Sequence, residues 1–189
     1  MPVLTVMTKA TAVHETELPP DWIQKVILRH LHKEDLPALE WDGEYTRFRK
    51  LYQNAFERSR MGQSVLWVAE HPEYGIIGQL FIQLDSDSDD LADGKTRAYL
   101  YAFRIRPRYR CEGLGTFMMH VAEADLIHRS FKLITLNVTR DNLEAIRLYE
   151  RRGYKITGPD AGCWTYPDHE GVWQTVEEAS WRMEKQLAP

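Results

Sequence analysis

The chain has 189 residues, 43% hydrophobic and 28% charged, with a formal net charge of −4. That length suits a single domain whose core needs no disulfide or metal staple, and the acidic balance excludes a global basic field for nucleic acid or anionic lipid. No apolar run approaches the roughly 20 residues that span a bilayer, so no membrane partner is expected, and Val3 to Met7 is too short an apolar stretch for a secretory leader. With Cys111 and Cys163 as the only cysteines, a reducing cytoplasm is the expected compartment.

Residues 1–24, rich in Thr, Pro and Glu, read as a mobile arm or as a segment that packs on a second copy, ahead of one domain over 25–189. Val26 to Arg29 reads as a short strand. His32 to Trp41 and Glu44 to Arg60 read as helices, the second with Tyr45, Phe48, Leu51, Tyr52, Ala55 and Phe56 at helical spacing. Val65 to Glu70 and Ile76 to Leu84 form a predicted hairpin around His71 to Gly75. Asp85, Asp87, Asp89, Asp90 and Asp93 begin like a calcium loop, but Asp90 stands where glycine is needed and Thr96 where a bidentate Glu is needed. A solvated loop is expected there, and no metal. Tyr99 to Ile105 reads as a strand ended by Pro107. Leu114, Met118, Val121, Ala122 and Leu126 mark the next helix, and Leu133 to Val138 a buried strand. Asp141 with Glu144 reads as a capping pair for a further helix, with Gly153 its left-handed stop. Two terminal strands follow, joined by a long loop from Pro159 to Val176.

Arg110-Cys111-Glu112-Gly113-Leu114-Gly115 joins a strand end to a helix start. Backbone N–H groups at such a start lack partners and carry the positive end of the helix dipole, so they suit a phosphate or diphosphate. Gly113 and Gly115 have no Cβ to hold that ligand away. A dinucleotide fingerprint needs a third glycine where Met118 stands, and a Walker loop needs a lysine after Gly115. Cys111 reads as an ordinary loop residue rather than a reactive thiol.

The run R-x-x-G-x-G after Ile105-Arg106-Pro107, followed by Asn142, Ala145, Tyr149, Gly153 and Tyr154 in order, closely resembles the two signatures of the GNAT family of N-acetyltransferases. The resemblance covers residues 26–187. It implies an α+β fold with α/β/α layers around a mixed central sheet whose central strands splay apart. It also implies an enzyme, an acetyl-coenzyme A-dependent N-acetyltransferase that moves an acetyl group to a primary amine of a small molecule or peptide by direct attack in a ternary complex. The alternative is a non-catalytic acyl-coenzyme A sensor or scaffold.

Residue by residue, the resemblance places the coenzyme diphosphate on the backbone of Arg110, Cys111, Glu112, Gly113, Leu114, Gly115 and Thr116. It places the pantetheine arm along Phe103, Arg104 and Ile105, with the Ile105 amide as oxyanion donor. Asn142 is a cofactor contact or a helix cap. Tyr149 protonates the departing thiolate, or is a core aromatic, or is both. The family's base positions hold Tyr99 and Tyr101, phenols unsuited to take a proton at neutral pH. They are expected to bind substrate or relay protons, or to be half-buried strand residues. The 159–176 loop, with Trp164, Tyr166, Asp168, His169, Glu170 and Trp173, encloses the acceptor or forms a homodimer contact.

Overall fold

The computed structural model describes residues 18–88 and 90–188. The sheet runs in the order β1 (Ile27–His30), β2 (Ser64–His71), β3 (Gly75–Gln83), β4 (Arg97–Ile105), β5 (Leu133–Thr139), β9 (Ser180–Gln186) and β6 (Lys155–Asp160). Every neighbouring pair is antiparallel except β4 and β5, which are parallel because helix α2 (Leu114–His128) carries the chain back between them. Helix α1 (Arg49–Arg60) precedes β2, and α3 (Leu143–Arg151) links β5 to β6.

The sheet is covered on both faces. On one side α2 and α3 bury Leu114, Met118, Met119, Ala122, Leu126, Ile146 and Tyr149 against Ala98, Leu100, Ile134, Leu136 and Met183 of the sheet. On the other, α1 and the 3-10 segments before it bury Leu39, Phe48, Tyr52 and Ala55 against Leu66, Val68 and Phe81. The layering agrees with the α/β/α expectation.

Several segments differ from the sequence reading. His32 to Trp41 is a 3-10 helix, Lys33–Glu40, with Pro37 inside it, where proline removes a helical donor. It ends in three consecutive left-handed residues, Trp41, Asp42 and Gly43. The following helix opens as a 3-10 turn, Thr46–Phe48, and becomes α-helical only from Arg49. The expected arm ends sooner than residue 24: Trp22 is buried, its ring 5.2 Å from that of Tyr109. Residues 1–17 of that arm lie outside the described residues. The 159–176 segment is not a loop between two strands. It finishes β6 and then forms a separate hairpin, β7 (Cys163–Pro167) with β8 (Trp173–Glu177).

Asp141 is not the cap of α3. Asn142 is, its Oδ1 accepting the Ala145 N–H at 3.1 Å. Asp93 closes its own turn by accepting from the Lys95, Thr96 and Arg97 amides and the Thr96 hydroxyl. Burial opposes its charge, but these bonds outweigh it and hold the carboxyl well below the usual range. Asp89 lies outside the described residues. No helix among the described residues is long and apolar enough to cross a membrane.

Candidate active site

The β4–β5 pairing stops early. Arg97 to Leu100 pair with Leu133 to Leu136, after which β4 continues to Ile105 along β3 and β5 continues to Thr139 along β9. Two strands thus run on without each other and leave a gap. At its apex β4 carries a bulge, with Ala102 at φ 48 and a register shift opposite Gln79 to Phe81. A bulge sharpens local twist and bends the strand away from its neighbour.

The bulge also resets which atoms face the gap. The Arg106 N–H donates to Ile77 O on β3 at 2.9 Å. Alternation along a strand then turns the backbone of Arg104 toward β3 and that of Phe103 and Ile105 toward the gap. Arg110 Nε donates to the Ile105 carbonyl from that open side at 2.8 Å. Phe103 and the Ile105 N–H therefore offer the unpaired strand edge expected of them, whereas the Ile105 carbonyl is taken by Arg110 and Arg104 faces β3 with its backbone. Its side chain crosses to the α1 face, where Nη1 donates to the Tyr52 hydroxyl at 2.7 Å.

The amide-lined turn stands at the wide end of the gap. Cys111 at φ 64 and Gly113 at φ 90 are both left-handed, and Gly113 caps α2. The Arg110 amide is already spent on Pro107 O at 3.2 Å, which removes it from the expected set. Among the described residues, the amides of Cys111, Glu112, Gly113, Leu114, Gly115 and Thr116 meet no acceptor. The two glycines serve different ends. A Cβ at Gly113 would meet only Ile23 Cδ1, at 3.9 Å, so glycine is there for its backbone angle. A Cβ at Gly115 would lie 3.2 Å from Leu148 Cδ2 and 3.4 Å from Ile105 Cδ1. That absence lets α2 close on α3 and β4 and does not make room for a ligand.

Tyr149 lies in the core below the gap, its ring 5.7 Å from that of Tyr154. Its hydroxyl has no hydrogen-bond partner among the described residues. Burial, and then the nearby Tyr99 phenol, push its pKa above the ordinary value. Tyr99 and Tyr101 stack at 6.2 Å with rings 7° apart, on the face opposite α2 and α3. Burial pushes both up to about 12; Asp160 adds to the rise at Tyr99, while Ser64 and Arg58 oppose it at Tyr101. Asn142 is exposed, and the bond to Ala145 uses its carbonyl oxygen, leaving its NH₂ group for a ligand.

The β7–β8 hairpin folds over α1. Tyr166 is buried, 5.0 Å from the Phe48 ring, and Trp164 stacks on Tyr166 at 5.0 Å. Asp168 is locked by the turn, accepting from the Glu170 and Val172 amides and from Gln174. Burial opposes its charge, but these bonds keep its pKa below the ordinary value. Glu170, His169 and Trp173 are exposed around that turn. Sequence reasoning missed the group this hairpin covers: Tyr45, Phe48 and Tyr52 with the Arg104 guanidinium 4.4 Å from the Tyr45 centroid and 4.9 Å from that of Phe48. The helical spacing of those aromatics was visible, but the arginine comes from another element.

Comparison with known proteins gives one family. A model of the acetyltransferase (GNAT) family matches residues 27–154. No curated protein matches the chain. Among solved structures, Ard1 from Thermoplasma volcanium is similar with a TM-score of 0.67 at 16% identity, over 87% of this chain and 99% of that one. The ribosomal-protein-S18-alanine N-acetyltransferase from Escherichia coli follows with 0.64 at 18%, over 87% and 95%. The spermidine/spermine N-acetyltransferase SpeG from Vibrio cholerae gives 0.65 at 17%, over 88% and 95%. At such identities the likeness is one of fold.

Proposed function

The chain belongs to the acetyltransferase (GNAT) family, and from that premise we propose that it transfers an acetyl group from acetyl-coenzyme A to a primary amine while both ligands are bound. The observation that carries this reading is the parting of β4 from β5 beyond Leu100 and Leu136, with unpaired amides at its open end and the Tyr149 phenol beneath it. Acetyl-coenzyme A would supply the activated thioester. The Cys111 to Thr116 amides hold its diphosphate against the positive end of α2. The free edges of Phe103 and Ile105 align the pantetheine arm as an added strand, and the Ile105 amide is the donor to the developing oxyanion. The α2 and α3 helices cover one face of the gap, so the amine enters from the other, the face that carries Tyr99 and Tyr101.

The test is release of free thiol from acetyl-coenzyme A over a panel of polyamines, amino acids, aminoglycosides and peptide N-termini. Amine-dependent release supports transfer. Tight coenzyme binding with no amine-dependent release makes the protein a non-catalytic acyl-coenzyme A module.

Two expected results belong with this reading. Gly113→Ala places an L-residue at φ 90 with space for its Cβ. The substitution costs about 1–2 kcal/mol of backbone strain or flips the turn, so calorimetry will show acetyl-coenzyme A binding about tenfold more weakly. Wild-type affinity in a folded variant rules the cradle out. Second, Tyr99 and Tyr101 stay protonated to about pH 12, so neither takes the amine proton at neutral pH. The acceptor must arrive uncharged, and kcat/KM will rise with pH until the amine's own pKa is passed. Acceptors of different basicity will shift that midpoint in step; a midpoint fixed regardless of acceptor would reveal an enzymic base.

A further inference from the structure

The bulge at Ala102 has a second consequence. In a regular strand Tyr101 and Arg104, three residues apart, would point to opposite faces. The extra residue brings both to the acceptor side: Tyr101 packs with the α1 core, and Arg104 reaches Tyr52 of α1. Arg104 thus stands on the part of β4 that has lost β5, roughly 7 Å along the strand from Tyr101, since their partners on β3 are Gln79 and Phe81. The Tyr52 hydroxyl takes one of its five N–H donors, and the Tyr45 and Phe48 rings hold the guanidinium in place. Arg47 lies over the same Phe48 ring at 4.7 Å.

Arg29, Arg49, Arg106 and Arg152 each have a carboxylate partner, whereas Arg104 and Arg47 make no ion pair among the described residues. Of the nearby carboxylates, Glu40 and Asp42 are paired with arginines, while Asp160 and Asp168 accept from neutral amides and keep their charge. Glu44 meets the Tyr45 hydroxyl. A carboxyl-bearing acceptor entering here would meet two arginines without a carboxylate partner among the described residues.

Resting on the acetyl-transfer reading, we propose that the acceptor amine carries a carboxylate and that Arg104, assisted by Arg47, reads it. The acceptor class is therefore amino acids or other carboxyl-bearing amines, favoured over amines that lack the carboxylate. Arg104 offers the fork that pairs with a carboxylate through two parallel hydrogen bonds, in a site where protein has replaced part of the water.

The test compares kcat/KM, corrected for the fraction of uncharged amine, for an amino acid against its amide in the wild-type protein and in Arg104→Gln. We expect the wild type to favour the acid by about 10- to 100-fold and Arg104→Gln to bring that ratio close to one. Arg47 is exposed, so Arg47→Gln gives a second reading that needs no tolerance of Arg104→Gln by the fold, and it lowers the same ratio. An arginine that merely pins α1 to β4 would change both acceptors alike and leave the ratio intact. Equal or better turnover of the amide by wild type, or an unchanged ratio in the two folded variants, overturns the proposal and leaves acetyl transfer standing. No thiol release with any acceptor overturns the transferase reading and this proposal with it.

Discussion

Tyr149→Phe will lower kcat by about 10²–10⁴-fold while coenzyme affinity and the unfolding midpoint stay near wild type. The ring accounts for the packing of Tyr149: it lies in the α2–α3 core beside Tyr154, and phenylalanine keeps that contact. The hydroxyl accounts for none of the packing, since no described group bonds to it. The hydroxyl is also not among the fully buried, unpaired polar atoms, as that of Tyr154 is, so it keeps a point of access from which a ligand can be met. Burial raises its pKa, so it is protonated throughout the working range and can donate to a thiolate as that charge develops. The measurement is single-turnover acetyl transfer, so that product release does not mask the chemical step. An unchanged rate would make Tyr149 a core aromatic and nothing more; equal loss of coenzyme affinity would make its role one of binding.

Glu123→Ala will destabilise the protein by about 3–5 kcal/mol, read from urea unfolding. Glu123 lies on the inner face of α2 among Met119, Ala122 and Leu126. Its carboxylate accepts from Arg152 Nη2 at 2.5 Å and from Lys185 Nζ at 2.7 Å. Three elements that are remote in sequence are tied at one oxygen: α2, the end of α3 and β9. Removing the acid leaves two part-buried cations facing each other with no counter-charge. Its other oxygen, Oε1, has no partner, which places the expected loss toward the lower end of that range. A loss under about 1 kcal/mol, the level of a surface pair, would show that water already compensates the cluster. Because this tie holds α3 against α2, Glu123→Ala should also lower transfer at temperatures well below its unfolding midpoint.

Much of this molecule is written in local sequence. Apolar runs between turn residues marked β2, β3 and β5, and the strand–glycine–helix junction located the amide turn, because a strand end and a helix start each depend on neighbours a few residues away. Tyr99 and Tyr101 stack on one face as their spacing of two requires. Capping was less legible: Asp141 and Asn142 are adjacent and chemically alike, and only the backbone geometry of the α3 start picks Asn142.

Tertiary structure decided the rest. Nothing in Tyr-Ala-Phe-Arg announces a left-handed residue, since alanine has no preference for φ 48. The bulge at Ala102 shows only in the pairing of β4 with β3, and it turns the Arg104 side chain to the acceptor face and its backbone away from the gap. The 159–176 segment became a hairpin because its apolar side, Tyr166, could be buried only against Phe48 of a distant element. Glu123 is a polar residue on the buried face of α2, and its partners Arg152 and Lys185 come from elsewhere in the chain. Sequence sets what each element can be; which charges meet, and which face a side chain takes past a bulge, depends on contacts that exist only once the layers have closed.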